Sequence, residues 1–313
     1  LRLVGSEMCI RDSNRGYELE ITATPVLTRD FRWNTTLTWS KNDNKILSLA
    51  EGADENQVIS TVGTASIIGR VGGTTGDLWG YKLVRDPEGN VIIGDNGLPE
   101  QADEIEYVGT AYADWKAGWY NEFSYKGFKL GILLDGQVGG TIYSMSFHKM
   151  MEQGKLTQSL NGRLPGTEYY MDANDPRIAA AGYTPQSGMY MIAPGVVRND
   201  DGTFSPNTKV VTIESFYKEY YRRANVETNS FDASFLKIRE IRLEYELPKK
   251  VLEKSPFSKA SIAVYGRNLW CFTDYPLFDP ESVALDGSSM VSGIETGSLP
   301  TTRTFGFNLN LTF

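Results

Sequence analysis

The chain has 313 residues, a net charge of −8 and 12% aromatic residues, and its sequence pI is near 5.0. The length allows one large β domain or two ordinary ones, and the acidic balance excludes a nucleic-acid footprint, which is basic. Mean hydropathy is −0.32, with no run of about 18 apolar residues, so no transmembrane helix is expected; alternating barrel strands also average to low hydropathy.

In chain order, the opening LRLVGSEMCIRDS has too little apolar core for a signal peptide. It resembles a translated library-adapter sequence. Residues 1–13 are therefore set aside as foreign, and residues 14–313 are read as a piece of a longer protein. YELEITATPVL then alternates, with Tyr17, Leu19, Ile21 and Ala23 on one face and Glu18, Glu20, Thr22 and Thr24 on the other. FRWNTTLTWS alternates again through Phe31, Trp33, Leu37 and Trp39, so the two runs read as a hairpin closed at TRD. Residues 42–116 are rich in Gly and Asp and read as a long loop with short strands such as TGDLWGYKLV. The segment NEFSYKGFKLGILLDG gives two strands around Lys126-Gly127, with Phe128, Leu130, Ile132 and Leu134 sharing a face. Residues 141–230 read as a second long loop in which IESFYKEYYRRA has helical character.

The strand DASFLKIREIRLEYELP changes parity between Leu236/Ile238 and Ile241/Leu243/Tyr245/Leu247. Either a bulge lies near Arg239–Glu240, or the upper part of the strand lies where parity is not enforced. ASIAVYGRNLWCF follows, then a third loop at 273–301, then TTRTFGFNLNLTF. There Phe305, Phe307, Leu309, Leu311 and Phe313 alternate with Gly306, Asn308, Asn310 and Thr312. About seven long strands result, with short turns at one end and long loops at the other. That asymmetry, with strands long enough to cross a bilayer, favours an all-β antiparallel transmembrane barrel over a soluble sandwich. An apolar face ending a chain is hazardous on a soluble sheet edge and at home against lipid.

From Asp232 onward the sequence resembles the SusC/RagA family of TonB-linked outer-membrane transporters. The resemblance rests on Ser234-Phe235, Leu236, Arg239, Ile241, Leu243, Tyr245 and Leu247-Pro248. It continues through Gly266-Arg267-Asn268-Leu269, Thr273, Tyr275, Asp279-Pro280-Glu281, Pro300, Arg303 and Phe313. It implies part of a 22-stranded barrel in the outer membrane, surrounded by lipid and opened by the TonB complex through a plug that this sequence lacks. It further implies a SusD/RagB-like surface lipoprotein as partner and oligosaccharides or peptides as cargo. The last strand, Phe305 to Phe313, would be the signal read by the barrel-assembly machinery. The alternative is a soluble secreted β protein that binds glycan through its aromatic loops.

No catalytic set stands out and no cofactor is expected. Cys9 and Cys271 read as unpaired thiols without metal-ligand spacing, and His148 is the sole histidine. VGGTTG at 71–76 lacks the ending of a phosphate loop, and DANDPR at 172–177 has Arg where a calcium loop needs Gly. Substrate or lipoprotein contact is expected from loop aromatics, namely Trp79, Tyr81, Trp115, Tyr143, Phe147, Tyr169 and Tyr170. Trp33, Trp39, Trp119 and Trp270 are expected in interfacial girdles.

Overall fold

In the computed structural model, which describes residues 10–286 and 289–313, seven long strands form one sheet in which every neighbour is antiparallel. They are β1 (Ile10–Leu27), β2 (Phe31–Leu49), β3 (Trp115–Tyr125), β4 (Phe128–Val138), β5 (Phe235–Glu246), β6 (Lys259–Phe272) and β7 (Thr304–Thr312). Their order in the sheet follows their order in the chain. β1 begins inside the segment set aside as foreign, since Ile10 pairs with Leu49; Cys9 and the rest of 1–9 lie outside the described residues.

Register turns the alternation into two surfaces. One row runs through Phe307, Val264, Leu243, Leu130, Phe123, Trp33 and Val26, crossing all seven strands with an apolar side chain on each. Opposite lies a polar face of hydrogen bonds and ion pairs. Asn34 Nδ2 donates to Glu122 Oε1 at 3.3 Å, Arg242 pairs with Glu244 at 2.6 Å, and Arg267 pairs with Glu240 at 2.6 Å. Of the two readings of the parity change, the bulge is the one present, because pairing of β5 shifts between Ile238 and Glu240 against both neighbours. The extra residue keeps Leu236 and Ile238 on the apolar face together with Ile241 and Leu243.

The apolar face has one polar inclusion, which alternation did not announce. Asn121 and Thr35 fall on it opposite each other. Trp33 Nε1 and Thr35 Oγ1 both donate to Asn121 Oδ1 at 3.0 Å, and Trp119 Nε1 donates to Thr35 Oγ1 at 2.8 Å. The group is satisfied internally, as buried polar atoms require. Trp119 therefore sits mid-face, opposite Leu37 and Leu134, instead of in a girdle.

Turns at one end are short. Lys126 and Gly127 have φ of 46° and 88°, the paired positive angles of a tight two-residue hairpin turn. Three long segments leave the other end. They pack into one assembly, because Thr141–Ser144 pairs antiparallel with Ser230–Asp232 and parallel with Ile294–Glu295. A second sheet of four strands lies within 57–110. Tyr143, Ile67, Leu78, Val226 and Ile294 share a buried cluster drawn from all three segments. Buried Glu295 ties them further, accepting from Ser144 Oγ at 2.7 Å, Ser146 Oγ at 2.8 Å and Ser298 N at 2.8 Å.

Candidate functional site

The upper assembly contains a cavity of about 610 Å³. Its aromatic wall is helix α2 (Ile213–Tyr220), whose N-cap Thr212 accepts from Ser215 N at 3.1 Å. Phe216, Tyr217, Tyr220 and the capping Tyr221 recur at helical spacing and meet one side of the cavity. The facing segment carries Leu160, Asn161 and Tyr169. Tyr217 OH donates to Gln158 O at 3.1 Å and Asn161 O at 3.0 Å, which fixes that segment against the helix. Burial pushes the Tyr217, Tyr220 and Tyr221 phenols above their ordinary value, so at neutral pH they are protonated donors. No lining residue is charged. The cavity thus offers ring faces, hydroxyls and the amides of Gln158 and Asn161 to a neutral ligand.

Of the seven aromatics expected to touch substrate or the lipoprotein, only Tyr169 lines this cavity. Tyr143 is fully buried in the shared core, and Phe147 is buried edge-on against Tyr221 and Phe231. Trp79 is half-buried edge-on to Tyr107, and Tyr81 forms a bridge with Asn225. Tyr170 is half-buried near the surface. Trp115 opens β3 opposite Val138, on the apolar face, because strand pairing begins before the loop ends. The residues that line the aromatic wall, Phe216, Tyr217, Tyr220 and Tyr221, had one sequence signal, their spacing on a helix.

His148, on helix α1 (Met145–Glu152), is buried beneath this wall. Its Nδ1 donates to Tyr221 O at 2.7 Å, while Nε2 stands 3.7 Å from Glu152. Burial holds its pKa below the ordinary value, so the ring is neutral and supports Tyr221. In the calcium-like stretch, Asp175 caps a helical turn and its carboxylate is held by Arg177 at 2.6 Å. Among the described residues no cluster of three metal-ligating side chains occurs. VGGTTG is a turn held against β2, where Thr75 N donates to Asn44 Oδ1 at 2.8 Å.

The motif residues form a latch between the last loop and the sheet. Lys237 Nζ, nearly fully buried, lies 2.5 Å from Asp279 Oδ1 and also contacts Glu281. Arg239, the bulge residue, spans Asp135 at 2.5 Å and Glu281 at 2.6 Å. Burial pushes the Asp279 carboxyl up, but the hydrogen bonds from Lys237 and Glu281 N outweigh this and leave it below the ordinary range. Phe235 lies under both cations, with Lys237 Nζ 4.6 Å from its ring centre. Ser234 Oγ accepts from Gly139 N at 2.8 Å, and Ser234 O accepts from Thr273 Oγ1 at 2.8 Å. Pro280 is buried beside them. Asn268 takes φ of 51° and donates to Thr302 O at 3.2 Å, while Leu269 is buried next to Gly266. Tyr245 packs on Phe128 at 4.5 Å, and Pro248 ends the strand and begins the turn at Lys249–Leu252.

On the last strand, Phe305, Phe307, Leu309 and Leu311 are exposed on the apolar face, and Phe313 packs on Phe257 at 5.1 Å.

No family model matches the chain. It is similar to TonB-dependent receptor P3 of Formosa agariphila, 26% identical over 328 residues that cover 96% of this chain and 28% of that protein. TonB-dependent receptor P26 of the same organism is 24% identical over 326 residues, covering 96% of this chain and 29% of that protein. Among solved structures, the RagAB peptide importer in its closed-closed state aligns with a TM-score of 0.60 at 15% identity, covering 96% of this chain and 30% of that one. Its open-open state aligns at 0.58 and 14% identity, covering 97% and 29%. The chain spans less than a third of the length of these proteins. The SusC/RagA resemblance read from the sequence is borne out by these relatives and neighbours.

Proposed function

We propose that residues 14–313 are the C-terminal part of a TonB-dependent outer-membrane importer, and that residues 1–13 are adapter-derived. In this reading the seven strands are one arc of a closed 22-stranded barrel. The apolar face meets lipid, the polar face lines the lumen, and the upper assembly is extracellular. The observation that carries the reading is the apolar row unbroken across all seven strands. A soluble protein exposing such a face would aggregate along it.

The dimensions support the same reading. On β3 the aromatic residues Trp115 and Tyr125 bound the apolar stretch. Ten steps at about 3.4 Å, tilted near 45°, give a height of about 24 Å, which matches an outer-membrane apolar band of about 25 Å.

The cargo is an oligosaccharide or a peptide, and the uncharged aromatic cavity fits the neutral portion of either. A SusD-like lipoprotein covers the extracellular mouth, and TonB acts through the portion of the receptor outside this chain. The final strand to Phe313 is the assembly signal.

The test is made in the complete receptor. Leu309→Arg places a charge against lipid and costs about 2–4 kcal/mol if near the midplane, whereas Asn308→Arg points into water and is mild. Folding yield into vesicles, read as heat-resistant mobility, separates the two. Equal tolerance overturns the assignment of faces.

A further inference from the structure

The apolar face is not uniform. Near its upper rim, between β5, β6 and β7, lies a groove of about 460 Å³. Trp270 and Phe305 wall it, and Ile241, Leu243, Val264 and Gly266 form its floor. The groove exists because of a glycine: a Cβ on Gly266 would come within 2.7 Å of Leu269 Cδ2 and 3.1 Å of Phe305 Cε1. A side chain there would displace both walls and fill the depression.

Arg303 stands at the mouth of this groove. Its guanidinium lies 5.7 Å from the Trp270 ring centre, and among the described residues it forms no ion pair or hydrogen bond. The other arginines bordering this part of the sheet are neutralised, Arg239 by Asp135 and Glu281, Arg242 by Glu244, and Arg267 by Glu240. One unpaired cation over an apolar slot is complementary to a ligand with an anionic head and a hydrocarbon tail.

We infer that this groove is a binding site for one anionic membrane lipid whose head is a phosphate monoester. An acyl chain lies along Ile241, Leu243 and Val264, and the phosphate meets Arg303. A guanidinium suits this role, since it binds phosphate oxygens with paired N–H groups and stays charged at any physiological pH. Stacking on Trp270 orients it at the level where a headgroup lies. The inference rests on the proposed lipid contact of the apolar face and adds selectivity to it.

The complete receptor is reconstituted in phosphatidylcholine vesicles doped with brominated-chain phosphatidic acid or brominated-chain phosphatidylcholine. Quenching of Trp270 is taken as the difference between the wild type and Trp270→Phe. The expected result is a preference for phosphatidic acid of about fivefold, the worth of one basic residue at an anionic surface, which Arg303→Gln abolishes without loss of assembly. Equal quenching by the two lipids, or a preference that survives Arg303→Gln, overturns the site while leaving the lipid-facing surface intact. Quenching by neither lipid overturns both the site and the lipid-facing surface.

Discussion

Lys237 and Asp279 are the most deeply buried ion pair of the motif. Such a pair is weak evidence of net stability, but breaking it strands a charge. Lys237→Ala is expected to cost about 3–5 kcal/mol and to free the loop at 273–303, seen as faster amide exchange there. Tyr217 illustrates the smaller, hydrogen-bond scale. Tyr217→Phe leaves two carbonyls without their shared donor and should destabilise the 157–161 wall by about 1–3 kcal/mol, raising exchange in that segment alone. His148 gives a pH signature. Its folded pKa lies below the unfolded 6.5, so below that pH the unfolded state takes up more protons. Its stabilising contribution is complete above pH 6.5 and is lost as pH falls toward the folded pKa. Exchange in α1 and α2 should therefore rise on acidification through this window, and His148→Gln should flatten the profile.

At the scale of elements, the strands were legible because their two surfaces differ in polarity, and a period of two records that difference residue by residue. The bulge was legible as one of two readings, since a parity change between Ile238 and Ile241 is inconsistent with a regular strand facing one environment but fits equally a strand whose upper part has left it. Removing Arg239 should turn Leu236 and Ile238 to the polar face. A cysteine placed at Leu236 would then react with a membrane-impermeant maleimide that does not reach it in the parent. The interior of the long segments was not legible. Tyr143 and Ile294 pack together across a wide gap in sequence, and neither sits in a periodic run. The aromatic wall depended on which face of α2 turned inward, which its neighbours decide. Trp115 read as a loop residue because strand pairing extends beyond the turn-rich composition that marks the loop.

At the scale of the molecule, the short turns, the latch and the packed upper assembly belong to one design. The sheet is a wall, and the elaborated end is fastened to it by Lys237 and Arg239 through Asp279 and Glu281, while buried Glu295 holds the elaborated end together. A wall with one face so largely apolar, its single polar inclusion satisfied internally, is stable only against something equally apolar. The measurement that tests this most directly is spin-label accessibility along Thr304–Thr312 in the complete receptor in bilayers. Labels at 305, 307, 309 and 311 should be open to oxygen and closed to a polar nickel reagent, and labels at 306, 308 and 310 should show the reverse. Accessibility to the polar reagent at every position, without that alternation, would contradict the account.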